Sequence, residues 1–307
     1  GLKKSFRGVY ALNGLNMTVP VGSIYGFIGE NGSGKSTTEK LICGHLVKDS
    51  GTIKLFGKDY TDAGTRVRVG ALIENAGCFP GSSIYMNLKM QCLNLGIENS
   101  DEEISRVLKI VRMEEHKELK FKKCSLGMKQ RVGIAMALLG NPALLILDEP
   151  INGLDTDGMR IMREILVDIT KNYNCTVLIS SHILGELEKI ATHYGIIRQG
   201  KMVQELTAKE MEARARVFVS FKVNDSYKAI SILKKKYKNV RQEENYVRVY
   251  DEEDVDGIVK YLIDNNHKKI AYTKGEVFNH VGRERFNGFL DEMKANNLEV
   301  NPKYIFD

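Results

Sequence analysis

No stretch of this 307-residue chain approaches the roughly 20 consecutive apolar residues that cross a bilayer. The nearest, Ile134 to Leu147, is broken by Gly140-Asn141-Pro142. No signal-peptide pattern opens the chain. It starts at Gly1 without a methionine, inside a strand-like run, so the native N-terminus is expected to be missing or processed away. Cysteines number five (Cys43, Cys78, Cys92, Cys124, Cys175), an odd count with no C-x-x-C pair. Neither a zinc site nor a disulfide framework is indicated, and reduced thiols of a cytosolic protein are the expectation. A strong charge of one sign is also lacking. The net charge is +6, a mild basic excess compatible with a membrane surface or a nucleotide but specific to neither.

What remains is 43% hydrophobic and 27% charged, ordinary for a globular protein of about two domains. The most informative stretch is Gly29-Glu30-Asn31-Gly32-Ser33-Gly34-Lys35-Ser36-Thr37, which fits G-x-x-x-x-G-K-[ST]. An apolar strand, Ile24 to Ile28, runs into it, and a helical stretch from Ser36 to Cys43 leaves it. Glycines let backbone amides converge on an anion at a helix N-terminus, and Lys35 adds a point charge for β- and γ-phosphates. The Ser36 hydroxyl suits Mg²⁺. The plain alternative is a Gly/Ser-rich turn joining strand to helix; the partners downstream decide against it.

Residues 1–28 read as short strands, and Gly51 to Gly57 as another strand bounded by glycines. Val69–Ile73 is also strand-like. From about Gly81 the period becomes helical. Ser100 followed by Glu103 predicts a capping box, with Ile104, Val107, Leu108 and Val111 on one face. Residues 81–125 therefore read as a helical insert, and the run from Leu126 to Leu139 extends it to about residue 140. Met159, Met162, Leu166 and Ile169 predict the core face of a further helix. Thr176–Ile179 reads as a strand, and Tyr194 to Val203 as a hairpin turning at Gln199-Gly200. Strands alternating with helices predict a doubly wound α/β sheet.

Three further constellations carry chemistry. Leu144 to Leu147 place Asp148 and Glu149 at the C-terminal end of a buried strand, where Asp148 can hold Mg²⁺ and Glu149 can polarise a water. In Cys124-Ser125-Leu126-Gly127-Met128-Lys129-Gln130-Arg131, Ser125 and Gly127 open a helix, either as an anion site or as an ordinary N-cap. His182 follows the strand at Thr176–Ile179, either as a polar strand end or as a group that hydrogen-bonds a γ-phosphate and orients the water.

Taken in this order and spacing, P-loop, signature segment, acidic strand and histidine resemble the nucleotide-binding subunit of an ABC transporter. The resemblance covers roughly residues 2–210. It implies an α/β P-loop NTPase fold with an antiparallel β subdomain and a helical subdomain, and ATP and Mg²⁺ as cofactors. It also implies that Phe6 stacks on adenine, with Tyr10 as the competing candidate, and that Leu154-Asp155 form the D-loop. Two subunits meet head to tail in this family, each ATP lying between one P-loop and the other subunit's Ser125 and Gly127, so a second ATP-binding subunit and an integral membrane permease are the implied partners. That places the chain on the cytoplasmic face of the membrane. A soluble relative acting on ribosomes or DNA would carry tandem cassettes or a long coiled-coil insertion; no nucleic-acid partner is expected. Two departures from the family pattern narrow the resemblance. Cys124, Leu126 and Met128 replace the first, third and fifth residues of the usual L-S-G-G-Q, and Glu74 stands where a glutamine normally senses Mg²⁺ and the permease. Both resemble exporters that protect Gram-positive bacteria from bacitracin and lantibiotics.

Beyond about residue 214 the texture changes. Strand-like Val217–Val223, helical Tyr227–Tyr237, Asn239–Arg241, Tyr246–Tyr250, helical Val255–Ile263 and Lys269–Tyr272 predict a β-α-β-β-α-β, ferredoxin-like module to about residue 273 within an accessory region 215–307. Lys234-Lys235-Lys236 reads as a solvated helix face. The stretch Gly282 to Asp307 faintly resembles a segment of LacI-type or periplasmic sugar-binding domains, is too short to be one, and reads as an amphipathic terminal helix.

Overall fold

A computed structural model describes residues 1–214, 218–223, 225–243, 246–250, 254–265, 267, 270–273, 289–296, 298 and 305–306. They fall into two compact units, Gly1–Met211 and Glu212–Asp307.

In the larger unit, β1 (Leu2–Phe6) and β2 (Val9–Leu15) form an antiparallel pair. β3 (Ile24–Ile28) leads into α1 (Lys35–Ile42). The run Gly51 to Gly57 is not one strand: only β4 (Lys54–Leu55) is extended, and the chain reverses at Phe56-Gly57 to pair with β5 (Lys58–Asp59). Phe56 takes φ 52°, which ends the strand, and its ring lies under the Arg68 guanidinium at 4.1 Å. Then come α2 (Ala63–Arg66), β6 (Val69–Leu72), α3 (Ile84–Leu95) and α4 (Ser100–Ile110).

The capping box expected at Ser100 does not form. Asn99 is the N-cap residue and Ser100 is already helical, while Glu103 turns away to Arg106 at 2.6 Å and accepts from the Gly140 amide at 2.8 Å. A bidentate guanidinium partner outcompetes a single amide for that carboxylate. α5 (Leu126–Leu138), β7 (Leu144–Asp148), α6 (Thr156–Tyr173), β8 (Thr176–Ser181), α7 (Leu184–Leu187), β9 (His193–Arg198), β10 (Lys201–Thr207) and α8 (Ala208–Arg214) complete the order. Met162, Leu166 and Ile169 are buried on α6, as their spacing requires.

The central sheet has the order β10-β9-β3-β8-β7-β6, parallel throughout except for the β9–β10 hairpin, which turns at Gln199-Gly200. β7 and β8 are buried along nearly their whole length because helices cover both faces of a parallel sheet. The neighbours β3, β8 and β7 end in register, Ile28 opposite Ser181 and Asp148 opposite Ser180. Three loops therefore leave the sheet side by side at its C-terminal edge, where open α/β sheets bind ligands.

In the smaller unit, β11 (Phe218–Val223), α9 (Ser226–Leu233), β12 (Val240–Glu243), β13 (Tyr246–Tyr250), α10 (Val255–Asp264) and β14 (Ile270–Thr273) follow one another as β-α-β-β-α-β. The sheet order is β12-β13-β11-β14, all antiparallel, with β15 (Ile305–Phe306) added parallel to β14. α9 ends at Leu233, so Lys234 to Lys236 lie in an exposed turn. Phe221, Leu233, Val249, Ile258 and Leu262 form its core. Residues 289–295 are helical and bury Phe289 and Met293 in that core; residues 282–288 of the expected terminal helix lie outside the described residues.

Candidate active site

The loop between β3 and α1 is shaped by two glycines. Gly34 has φ 113°, a region closed to most side chains, and a Cβ there would lie 2.7 Å from Leu12 Cδ2. A Cβ on Gly29 would meet the Ile197 carbonyl at 2.5 Å. The first amide of α1 to find a carbonyl one turn earlier is that of Thr38, bonded to Gly34 O at 2.9 Å. The amides of Lys35, Ser36 and Thr37 have no such acceptor, and they stand at the positive end of the helix dipole. Lys35 is 5% exposed; its Nζ donates to Gly29 O (2.6 Å) and Glu30 O (3.2 Å) and lies 3.8 Å from Glu149 Oε1.

At the end of β7, Asp148 Oδ1 accepts a hydrogen bond from Ser180 Oγ at 2.8 Å. The same hydroxyl accepts from the Glu149 amide at 3.2 Å. Glu149 takes φ 49°, a strained conformation for a side chain of its size, which turns the carboxylate back across the strand ends. Its Oε2 meets His182 Nδ1 at 2.6 Å. A carboxylate can only accept, so Nδ1 carries the hydrogen and Nε2 is left for another partner. Asn31, Gly32, Gly34, Lys35, Ser36, Thr37, Asp148 and Glu149 line one cavity of about 290 Å³. The structure thus brings together an ammonium, a helix N-terminus, a hydroxyl and two carboxylates. Ser33 is buried beneath the loop, and its amide donates to Glu30 O.

Other residues singled out in the sequence lie elsewhere. Ser125, Gly127 and Asp155 line a second cavity of about 400 Å³ between the start of α5 and the loop before α6. Ser125 caps α5 by accepting from the Met128 amide at 3.3 Å, and Asp155 caps α6 by accepting from the Gly158 amide at 2.8 Å. Glu74 does not line the first cavity. Its Oε1 rests on Lys40 Nζ at 2.6 Å, and that contact holds its carboxyl below the usual range. It borders a third cavity with Lys122 and Lys129. Phe6 and Tyr10 are both exposed on the β1–β2 hairpin, Phe6 under Lys4 Nζ at 5.3 Å, and Ala11 is the hairpin residue that lines the first cavity.

Sequence reasoning missed two residues. Ser180 follows the apolar run 177–179 with no motif to mark it, although it ties Asp148 to Glu149. Glu39 is fully buried on α1, and burial, then the neighbouring Asp148, pushes its carboxyl up to about 8. Its position one helical turn after Lys35, in line with buried Ile42, was the available signal.

Residues 12–152 match the family model described as ABC transporter. The chain is 35% identical to the bacitracin transport ATP-binding protein BcrA of Bacillus licheniformis, over 90% of this chain and 92% of the relative. It is 41% identical to the lantibiotic transport ATP-binding protein SrtF of Streptococcus pyogenes, over 66% of this chain and 87% of the relative. Among solved structures it is similar to cbiO1 of Clostridium perfringens, part of the ABC transporter complex cbiONQ, with a TM-score of 0.64 and 28% identity over 69% of this chain and 88% of that one. A phosphate-binding loop after β3 and paired acids at the end of β7, two parallel strands flanking β8, joined to near-full-length similarity with transport ATPases, establish that the chain belongs to the ATP-binding, ATP-hydrolysing proteins of ABC transporters.

Proposed function

We propose that this ABC transporter ATPase powers export of, or resistance to, a peptide antibiotic such as bacitracin or a lantibiotic through a separate membrane permease. One observation carries the substrate class. The match to BcrA spans 90% of the chain and so runs beyond the 211 residues of the larger unit, whereas the lantibiotic relative matches over 204 residues. The smaller unit is thus a feature shared with the bacitracin relatives, and bacitracin is the favoured substrate. No helix among the described residues is long and apolar enough to cross a membrane. Membrane passage then belongs to the permease, which holds this subunit at the cytoplasmic face. Residues 1–214 form the ATP-binding domain and 215–307 the accessory region.

The donor set fits Mg²⁺-ATP: amides and an ammonium for phosphates, and hard oxygen donors for the cation. Lys35 and the first-turn amides of α1 hold the β- and γ-phosphates, within a loop kept open by Gly29, Gly32 and Gly34. Ser36 and Asp148 hold Mg²⁺, which when bound neutralises charge on the phosphate oxygens. Glu149 accepts a proton from the attacking water, and His182 keeps that carboxylate aimed while its Nε2 meets the γ-phosphate. Asn31, Ser33 and Thr37 complete the loop, and Phe6 packs on the adenine. Ser125 and Gly127, with Asp155, lie in a separate cavity, so they serve the ATP of a second copy in a head-to-tail dimer. Glu74, held on Lys40, answers to the permease more than to the nucleotide. The substrate is tested by expressing the chain with a candidate permease in a sensitive host. Raised bacitracin resistance, lost with Glu149→Gln, is expected. Unchanged sensitivity to bacitracin and lantibiotics alike would reject the substrate class.

A further inference from the structure

Where the β1–β2 pair, α1 and the start of β4 meet the central sheet, the larger unit contains a further cavity, of about 210 Å³. It shares no lining residue with the nucleotide cavity. Leu144 and Thr176, which border it, are the first residues of β7 and β8, at the opposite strand ends from Asp148 and Ser181. Its inner wall is apolar, with Leu15, Ile42, Ile53, Leu144 and Leu178 all buried. Two threonines of that wall, Thr38 and Thr176, are buried as well, and both hydroxyls are engaged. Thr38 Oγ1 donates to Gly34 O at 2.8 Å, and Thr176 Oγ1 accepts from the Gly22 amide at 3.0 Å. A buried water needs about two to four polar partners, so this wall suits hydrocarbon better than solvent.

The mouth has a different character. Val21, Thr52 and Lys54 border it and are exposed, and Lys54 is the one charged residue of the lining among the described residues. Asp59, its cross-strand neighbour on β5, is taken up by the Thr61 amide at 3.0 Å and hydroxyl at 2.6 Å. Lys54 enters no ion pair among the described residues. A hydrocarbon-lined interior with a lone cation at its opening matches an amphiphile with an anionic head. An apolar cavity of about 150 Å³ takes up benzene, so this one holds a chain of about six to eight carbons. We propose that the cavity binds a medium-chain carboxylate, its tail against Leu15, Ile42 and Leu178 and its head at the Lys54 ammonium. The flexible lysine stem lets that charge follow the head group. Such a ligand lies against Thr38 and Ile42 of α1, the helix that leaves the phosphate loop, and outside the nucleotide cavity. A mere packing defect would take up an apolar probe without regard to its charge.

The test is isothermal titration of the full chain with butanoate, octanoate, octanol and octylammonium. Octanoate is expected to bind about 100-fold or more tighter than butanoate, since each methylene taken from water tightens binding about 4-fold. In the parent chain it should also bind more tightly than octanol or octylammonium. Lys54→Gln should weaken octanoate about 3–5-fold, the effect of one partly screened charge, and Lys54→Glu should reverse the order of octanoate and octylammonium. Val19→Phe fills the cavity from a half-buried position. It should weaken octanoate about 10-fold or more while nucleotide affinity, which reports folding, stays within about 2-fold. Met17→Phe replaces it if that chain fails to fold. Octanoate that does not bind the parent, or that binds the filled variant equally well, would overturn the site. Equal affinity of the parent for octanoate, octanol and octylammonium would overturn the carboxylate as its ligand.

Discussion

Replacing Ser180 by alanine removes one hydroxyl shared by two strand ends. That hydroxyl donates to Asp148 Oδ1 at 2.8 Å and accepts from the Glu149 amide at 3.2 Å, and Ser180 is fully buried. A hydrogen bond to a charged group contributes about 1.5–3 kcal/mol and a neutral one about 0.5–1.5. Alanine leaves a void smaller than a water, so the lost partners are not replaced, and a destabilisation of about 2–3 kcal/mol is expected. For a unit of this size each kcal/mol shifts the midpoint by about 2–4 °C, so the transition of the larger unit should fall by roughly 5–10 °C. The two units can melt separately, and the relevant transition is the one that nucleotide raises. Hydrolysis should suffer more than binding. Asp148 and Glu149 lose a common anchor, and misplacement of a reacting group by 1 Å costs about 100-fold. Calorimetry with and without nucleotide, paired with phosphate release at saturating ATP, measures both effects. A midpoint within about 1 °C of the parent, together with a rate within about 2-fold, would refute the shared-anchor reasoning.

Lys35→Ala should weaken nucleotide binding by about 10-fold or more, since a charge-assisted contact to phosphate is lost; Ser125→Ala should leave monomer binding unchanged, and equal losses in titrations of the two would contradict separate half-sites. Glu74→Gln removes one side of an exposed, solvent-screened ion pair, so stability and ATP affinity should barely move. Abolished binding in a nucleotide titration would put Glu74 in the ATP cleft after all. The smaller unit should lose stability in acid. His267 is buried with neither ring nitrogen hydrogen-bonded, and burial, then Lys228, lowers its pKa from 6.5, with Asp225 opposing. The unfolded chain then binds the proton more readily, so this contribution is complete above pH 6.5 and declines as pH falls below it. Thermal unfolding across pH 5–8 checks this, and His267→Gln should flatten the dependence.

The phosphate loop, the acidic pair and His182 were legible because each couples an unusual local composition to the end of an apolar strand. What the linear pattern could not show is which strand ends become neighbours. Ser180 matters only because β8 lies beside β7 in a register that places it opposite Asp148. Glu39 carries an ionisable side chain, which on a helix ordinarily marks the solvated face; here tertiary packing overrides that rule. Ser100 and Glu103 had the spacing of a capping box, yet Arg106 and the Gly140 amide took the glutamate. Glu74 found Lys40, 34 positions earlier, a contact that no local pattern encodes. The strand read from Gly51 to Gly57 failed for a local reason, since Phe56 and Gly57 bend the chain back on itself.

The most direct measurement concerns Glu149. Its carboxylate lies 2.6 Å from His182 Nδ1 and 3.8 Å from Lys35 Nζ, with the first-turn amides of α1 on the same cavity wall. Glu149→Gln keeps the shape and the contact to a water but removes the base. Phosphate release should fall by about 10²–10⁴-fold, while ATP binding persists. Because the second half-site lies in a separate cavity, the stalled variant with ATP and Mg²⁺ should elute in size-exclusion chromatography as a dimer, and as a monomer without nucleotide. A variant that stays monomeric with ATP and turns it over at the parent rate would contradict both the base and the shared site.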